Sequence, residues 1–297
     1  MRKGITVPAP AKINLGLRVF PRRDDGYHDI ESIFTTVSLC DFVTVELYDG
    51  LDKLNSCDVE CVGERKIELP AENTITKAYK AFCVLTGNDR GVRVKVDKRI
   101  PAGGGLGGGS SDSSSFLKSI DTLLSTHLSR QALDCISGQV GSDVYFFTSA
   151  QYSAEVGEFL LERRFAASVK GRGERIEPIE ARNDFSVLLV FPGVSVSTPM
   201  AYGLVDSAGM RNYKNDVHLV QTYCRPVREW TFENDFTVPV AEKFPKVGLA
   251  LESLKAAGAD FVDMSGSGST VFGIFDDRER ALEAKKKLDS DWRTELV

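Results

Sequence analysis

Between Pro101 and Asp112 the chain reads Pro101-Ala-Gly-Gly-Gly-Leu-Gly-Gly-Gly-Ser-Ser-Asp112, with six glycines in the seven residues 103–109. Such a run has the composition of a flexible linker, yet its neighbours are regular. Gly91-Val-Arg-Val-Lys-Val96 alternates as a strand does. Phe116, Leu117, Ile120, Leu123 and Leu124 recur at helical spacing, and Ser110, Ser111 and Asp112 suit a first helical turn. Glycines admit positive φ and let backbone N–H groups approach an anion without a Cβ in the way. The following helix adds unpaired N–H groups and the positive end of its dipole. A glycine run held this way predicts a phosphate-bearing ligand.

The familiar phosphate loops fit poorly. Gly103 to Gly108 satisfies G-x-G-x-x-G formally, but the dinucleotide loop starts directly after its strand, and here Asp97-Lys-Arg-Ile-Pro101 intervenes. The Walker A pattern needs a Gly-Lys pair that this run lacks, and the protein-kinase loop joins two strands rather than entering a helix.

The remaining chain mixes strands and helices without strict βαβ order, which predicts an α+β fold. Strands are expected at 11–19, 30–38, 42–48, 91–96, 185–191 and on both sides of a turn within 261–275. Helices are expected at 72–85, from 110 to about 124, at 129–136, near 247–257 and from 277. Residues 141–147 read as a tight turn into an apolar segment. At 297 residues the chain suits two domains. The pattern weakens and charges cluster between 151 and 175, so the domains are drawn as 1–165 and 166–297.

A net charge of −5 and a pI near 5.4 argue against a nucleic-acid partner. No apolar run approaches the ~20 residues that cross a bilayer, and Pro8 and Pro10 follow the basic start with no apolar leader, so a cytoplasmic protein is expected. Cys57 and Cys61 are the only close cysteines among six, which predicts reduced, mostly buried thiols and no zinc site.

Two further motifs flank the glycine run in order: Pro8-Ala-Pro-Ala-Lys-Ile-Asn-Leu-Gly-Leu17 and Met264-Ser-Gly-Ser-Gly-Ser-Thr-Val-Phe-Gly273. Together the three resemble the galactokinase, homoserine kinase, mevalonate kinase and phosphomevalonate kinase (GHMP) superfamily. That resemblance implies a ribosomal-protein-S5-domain-2-like N-terminal domain and a ferredoxin-like C-terminal domain. Asp25-Gly-Tyr-His28, Gly141-Ser-Asp143 and Phe191-Pro-Gly-Val-Ser-Val-Ser-Thr-Pro199 narrow the likeness to the branch that phosphorylates a diphosphocytidyl-methylerythritol. The implied reaction moves the γ-phosphoryl group of ATP, with Mg²⁺, to the acceptor's 2-hydroxyl in the non-mevalonate route to isoprenoid precursors. Residues 151–165 read as an insertion, and Tyr145 stands where the family usually has proline.

The resemblance also implies roles. Asp143 is the candidate general base, since an alcohol is a poor nucleophile at neutral pH; its plain alternative is a turn-capping aspartate. Lys12, on the polar face of its strand, would hold the attacking oxygen and offset developing charge, where a strand lysine is ordinarily just solvated. Asn14 shares that face and would bind substrate hydroxyls. Tyr27, His28, Thr198 and Tyr202 are expected at the cytidine end, although aromatics often only pack. Asn73 and Lys98 match positions near adenine. Pro101, Gly103, Gly104, Gly105, Leu106, Gly107, Gly108 and Gly109 form the phosphate loop, and Ser110 or Ser111 would reach Mg²⁺ or a phosphate. No second carboxylate for the metal is evident. The rival readings are a sibling kinase with a mevalonate-type or homoserine-type acceptor and a non-catalytic ligand-binding relative.

Overall fold

The computed structural model describes residues 4–49, 53–63, 69–153, 163–209, 213 and 218–297. The chain forms two compact units, each discontinuous in sequence. The first comprises Met1–Ala11, Ser38–Ala102 and Gly107–Glu162; the second comprises Lys12–Val37, Gly103–Leu106 and Arg163–Val297. Two long strands, β1 (Gly4–Arg22) and β2 (His28–Leu47), each contribute residues to both units.

The segments expected as strands at 30–38 and 42–48 are one strand, β2. The apparent break at Asp41 is a fully buried anchor whose carboxylate accepts from the Arg99 and Ile100 amides at 2.5 and 2.8 Å. An isolated acid in an apolar strand reads as an interruption, but satisfied hydrogen bonds let it stay inside.

In the first unit, β3 (Cys57–Val62) lies parallel to β4 (Val92–Asp97), which runs antiparallel to the second half of β2. The alternating Val43, Val45, Val92, Val94 and Val96 are all fully buried, as a half-covered sheet requires. Against them pack α1 (Thr74–Thr86), through Ile75, Ala78, Tyr79 and Phe82, and α2 (Gly108–Leu124), through Phe116, Leu117 and Ile120. Next come α3 (Arg130–Val140) and α4 (Ser142–Ser153). α4 corrects the turn-and-apolar-segment reading of 141–147. Val144, Phe146, Phe147 and Ala150 are buried in it, and so are Thr148, Ser149 and Gln151, so no amphipathic stripe betrays the helix. The Gln151 amide offsets its burial by donating to the Pro8 carbonyl and to the Ser115 hydroxyl, both at 2.7 Å.

The second unit pairs the first half of β2 with β5 (Ala166–Gly171), which turns into β6 (Arg175–Ile179). The charges at 170–175 that made this stretch look irregular surround that hairpin turn. Of the suspected insertion at 151–165, residues 154–162 lie outside the described residues. A separate antiparallel sheet has the order β10-β7-β9-β8, built from β7 (Ser186–Phe191), β8 (Phe261–Met264), β9 (Val271–Phe275) and β10 (Arg293–Leu296). Between β7 and β8 lie α5 (Thr198–Ala208), α6 (Leu219–Tyr223), α7 (Thr237–Lys243) and α8 (Pro245–Ala256). α8 packs on β9, and α9 (Arg278–Leu288) packs on β7. All six cysteines are free, but only Cys40 is buried, so the expectation of mostly buried thiols is corrected. No helix among the described residues is long and apolar enough to cross a membrane.

Candidate active site

In the second unit, residues 103–106 are fastened from three directions. The Lys12 amide donates to the Leu106 carbonyl at 3.1 Å, the Thr270 amide to Gly104 at 3.2 Å, and the Ser265 hydroxyl to Gly105 at 3.0 Å. The first and third sequence motifs therefore meet the glycine run. Gly105 has φ +75°, and a Cβ there would collide with the Ser265 carbonyl oxygen, so only glycine fits. This is an ordered cradle and not a linker.

Lys12 and Asn14 are 3% and 1% exposed. The alternative of a solvated strand lysine is thereby excluded: both faces of this part of β1 are covered. The Lys12 ammonium donates to Asn14 Oδ1 at 2.5 Å and lies 4.7 Å from the centre of the Phe34 ring. A Cβ at Gly266 would sit 3.2 Å from Lys12 Nζ.

In the first unit, Gly107, with φ +71°, caps α2 without any side-chain hydrogen bond, and the first intrahelical bond runs from the Ser111 amide to Gly107 at 2.9 Å. Amides 108–110 accordingly have no partner within the helix. Ser111 Oγ is fully buried and has no hydrogen-bond partner among the described residues. Open helical amides and an orphaned buried hydroxyl suit a phosphate group. The Ser110 carbonyl accepts from the Ser113 and Ser114 hydroxyls at 2.8 and 3.0 Å.

Lys98 is buried beneath this helix start. Its Nζ pairs with Asp41 and, at 2.8 Å, with Asp112, and it would lie 3.4 Å from a Cβ at Gly108. Burial pulls the Lys98 ammonium down, but Asp112 and Asp41 outweigh it and hold its pKa above the ordinary value. Burial pushes the Asp112 carboxyl up to about 7, with Lys98 opposing and Asp41 adding to the rise. Two carboxylates around one ammonium leave an excess negative charge in a poorly solvated place, which favours a proton. Asn73 is the cap of α1: its Oδ1 accepts from the Ile75 and Thr76 amides, and Thr76 Oγ1 accepts from the Asn73 amide. Pro101 is half-buried at the entry to the loop.

Asp143 is half-buried in the first turn of α4. Tyr145 fits beside it because α3 presents Gly138, where a Cβ would lie 2.5 Å from the tyrosine hydroxyl oxygen. The helical backbone thus tolerates the family's missing proline.

At the expected cytidine end, His28 is buried, and its Nδ1 lies 2.8 Å from the Phe20 carbonyl, which accepts the ring proton there. His28 Nε2 faces Asp206 Oδ1 at 3.5 Å. The His28 ring stacks on Tyr202 with centroids 5.0 Å apart, and Tyr202 meets Phe236 edge-on at 4.9 Å. Tyr27 is 54% exposed, with the Arg172 guanidinium 3.9 Å from its ring centre. The Thr198 and Ser267 hydroxyls are 3.2 Å apart, linking the start of α5 to the third motif. Among the described residues no group of three or more His, Cys, Asp or Glu could hold a metal ion.

The pattern for the GHMP kinases N terminal domain matches residues 73–151, and that for the GHMP kinases C terminal matches residues 225–294. A 4-diphosphocytidyl-2-C-methyl-D-erythritol kinase of Treponema pallidum (strain Nichols) is 37% identical over 300 residues, covering 98% of this chain and 96% of that protein. The chain belongs to the 4-diphosphocytidyl-2-C-methyl-D-erythritol kinase family. A kinase of the same name from Chlorobaculum parvum is 34% identical, over 99% of this chain and 97% of that protein. A crystal structure of a 4-(cytidine 5'-diphospho)-2C-methyl-D-erythritol kinase superposes with a TM-score of 0.75 at 29% identity, covering 98% of both chains. The mevalonate kinase of Methanococcus jannaschii, at 13% identity and a TM-score of 0.63 over 100% of this chain and 98% of its own, shares the fold.

The α+β architecture with its two sheets is the two-domain GHMP kinase fold, and membership of this kinase family implies ATP use. Four residues that hold the candidate site residues in place were not among those expected from the sequence: Asp41, Asp112, Asn234 and Ser265. Asp41 and Asn234 act across the chain, with partners 57 and 30 residues away, respectively. Asp112, next to the glycine run, and Ser265, inside the third motif, carried a local signal.

Proposed function

We propose that this chain transfers the γ-phosphoryl group of ATP to the 2-hydroxyl of 4-diphosphocytidyl-2-C-methyl-D-erythritol, in the cytoplasm, as a step of non-mevalonate isoprenoid precursor synthesis. The observation that carries this reading is the second unit's assembly of buried Lys12 on the glycine loop, in a chain 37% identical to a kinase of that name. Residues 1–165 and 166–297 are its two kinase domains.

The loop from Gly103 to Gly109 and the open amides of α2 bind the phosphates. Asp143 takes the proton of the acceptor hydroxyl, whose oxygen attacks the γ-phosphorus as the bond to the β-phosphate oxygen breaks. Lys12, pre-placed by Asn14, offsets charge on the transferring group without reorganising during the step. Ser110 or Ser111 would help to hold Mg²⁺, which would supply neutralisation of the phosphate charge. His28 and Tyr202, with Tyr27 and Thr198, bind the cytidine end by stacking and edge hydrogen bonds. Lys98 and Asn73 support the nucleotide through the helices they hold.

The test is product analysis by mass spectrometry after incubating the purified protein with ATP, Mg²⁺ and the diphosphocytidyl acceptor, beside mevalonate and homoserine. A monophosphorylated diphosphocytidyl product alone supports the reading. Phosphorylation of mevalonate or homoserine instead, or no transfer to any acceptor, overturns it.

A further inference from the structure

Asn234 precedes α7 and is 4% exposed. Both hydrogens of its side-chain amide go to one turn: Nδ2 donates to the Met264 carbonyl at 2.7 Å and to the Gly266 carbonyl at 2.8 Å. Its Oδ1 accepts from the Phe236 amide at 3.0 Å. The side chain therefore has a donor for each of two carbonyls and an acceptor for one amide, a set that aspartate, serine or leucine cannot reproduce.

The backbone around Asn234 is fastened to β1, the strand that carries Lys12 and Asn14. The Leu17 amide donates to Glu233 at 2.9 Å, the Asp235 amide donates to Leu17 at 2.9 Å, and the Val19 amide donates to Asp235 Oδ2 at 2.6 Å. On its far side the same turn touches the reactive groups. A Cβ at Gly266 would lie 3.1 Å from the Gly105 carbonyl oxygen, 3.2 Å from Lys12 Nζ and 3.4 Å from Asn14 Oδ1. Gly266 has φ +57°, a conformation that its held carbonyl helps to retain.

We propose that Asn234 is a positioning residue for phosphoryl transfer. It pins the turn at residues 264–268 to the strand bearing Lys12, so that Gly266 seats the Lys12 ammonium and Ser265 seats the Gly105 carbonyl. Asn234 itself touches neither nucleotide nor acceptor. Its effect on the rate comes from the accuracy of that seat, and displacements on the order of 1 Å in such a support can cost ~10²-fold.

This inference rests on reading Lys12 and the glycine loop as the phosphoryl-transfer site. The experiment compares Asn234→Asp, Asn234→Ala and Asn234→Ser with the wild type in the full chain. It measures kcat, KM for ATP, the dissociation constants of cytidine diphosphate and of a non-hydrolysable ATP analogue, and thermal melting. For the Asp and Ala variants kcat should fall by roughly 10–100-fold and ATP-analogue binding weaken by about tenfold. Cytidine diphosphate binding should weaken less than ATP-analogue binding, by under about threefold, because His28 and Tyr202 stack on each other and meet this turn only through Phe236 and the Thr198–Ser267 contact. Asn234→Ser keeps one donor and should recover part of the lost kcat. The proposal is overturned if all three variants stay within about threefold of wild-type kcat, or if cytidine binding is lost in parallel with the folded fraction. A wild type that binds the analogue but phosphorylates no acceptor would sink the functional reading instead. Unweakened analogue binding in Asn234→Asp would then still count against Asn234.

Discussion

The starts of α1 and α2 meet the same backbone problem in opposite ways. Each begins with amides that no preceding carbonyl can satisfy. At α1 the chain answers from within: Asn73 and Thr76 exchange hydrogen bonds in a complete capping box. At α2 the cap is Gly107, which offers no side chain, and the first turn is glycine and serine. The two starts are neighbours, since Thr74 Oγ1 donates to the Gly109 carbonyl at 2.7 Å. A helix end closed by its own sequence serves stability. One left open, with a lysine-bridged carboxylate pair buried below it, is suited to an anion.

The largest expected effect is on what lies beneath the open end. Lys98→Met strands Asp41 and Asp112 in the interior and should destabilise the protein by about 3–5 kcal/mol. Urea unfolding would show it, and a shift below about 1 kcal/mol would mean that the pair is solvated and α2 needs no such support. Gly107→Val puts a branched side chain at φ +71° in the approach to the phosphates. It should weaken ATP binding by at least about 10²-fold, roughly 2.7 kcal/mol, while cytidine diphosphate binds as before. Unchanged ATP affinity would break the contrast between the two helix starts.

α4 adds a third kind of start, one that carries an acid. If Asp143 accepts the acceptor's proton, Asp143→Asn should lower kcat by ~10²-fold or more, with little change in KM for either substrate. A drop under about tenfold, beside a larger one for Lys12→Ala, would make Asp143 an orienting group.

Asp112 makes the support of α2 sensitive to pH. Its folded pKa is raised to about 7 from 3.8, so between those values the folded chain holds more protons than the unfolded one. Stability then falls as pH rises through that window. This group should make the protein less stable at pH 8 than at pH 5 by on the order of 1–3 kcal/mol. Asp112→Asn, which cannot ionise, should flatten that slope, as urea midpoints at several pH values would reveal. An equal slope in the variant would assign the effect elsewhere.

The smallest effect belongs to the closed end. Asn73→Ala should cost about 1 kcal/mol in melting experiments, and Asn73→Asp should restore most of it. If Asn73→Asp also weakens ATP binding several-fold while keeping the cap, Asn73 meets the nucleotide as well as closing α1.

What could be read ahead of the structure follows how local each signal is. The glycine run, the helix after it and the 261–275 hairpin carry their patterns within a dozen residues. The burial of Lys12 was hidden because strand alternation exposes one face only when nothing covers it, and here Phe34, Gly266 and Asn14 do. α4 was hidden for a similar reason: buried on several sides, it shows no periodicity. β5 and β6 were obscured by the charges on their own turn. His28 and Tyr202 were assigned to one ligand subsite, and they meet by stacking on each other.

The interleaved make-up of the two units has a consequence for the order of assembly. The second unit needs residues 12–37 from near the start of the chain and also β10, whose Thr294 and Leu296 register with Val190 and Leu188 of the central strand β7. On the ribosome those early residues must wait, unpaired with their distant partners, until almost the whole chain has emerged. Contacts of such long sequence separation slow folding and lengthen the exposure of apolar strand. Nascent chains stalled before residue 293 should therefore be easily cleaved by protease across residues 186–191, whereas the first unit's segments are all synthesised by residue 162.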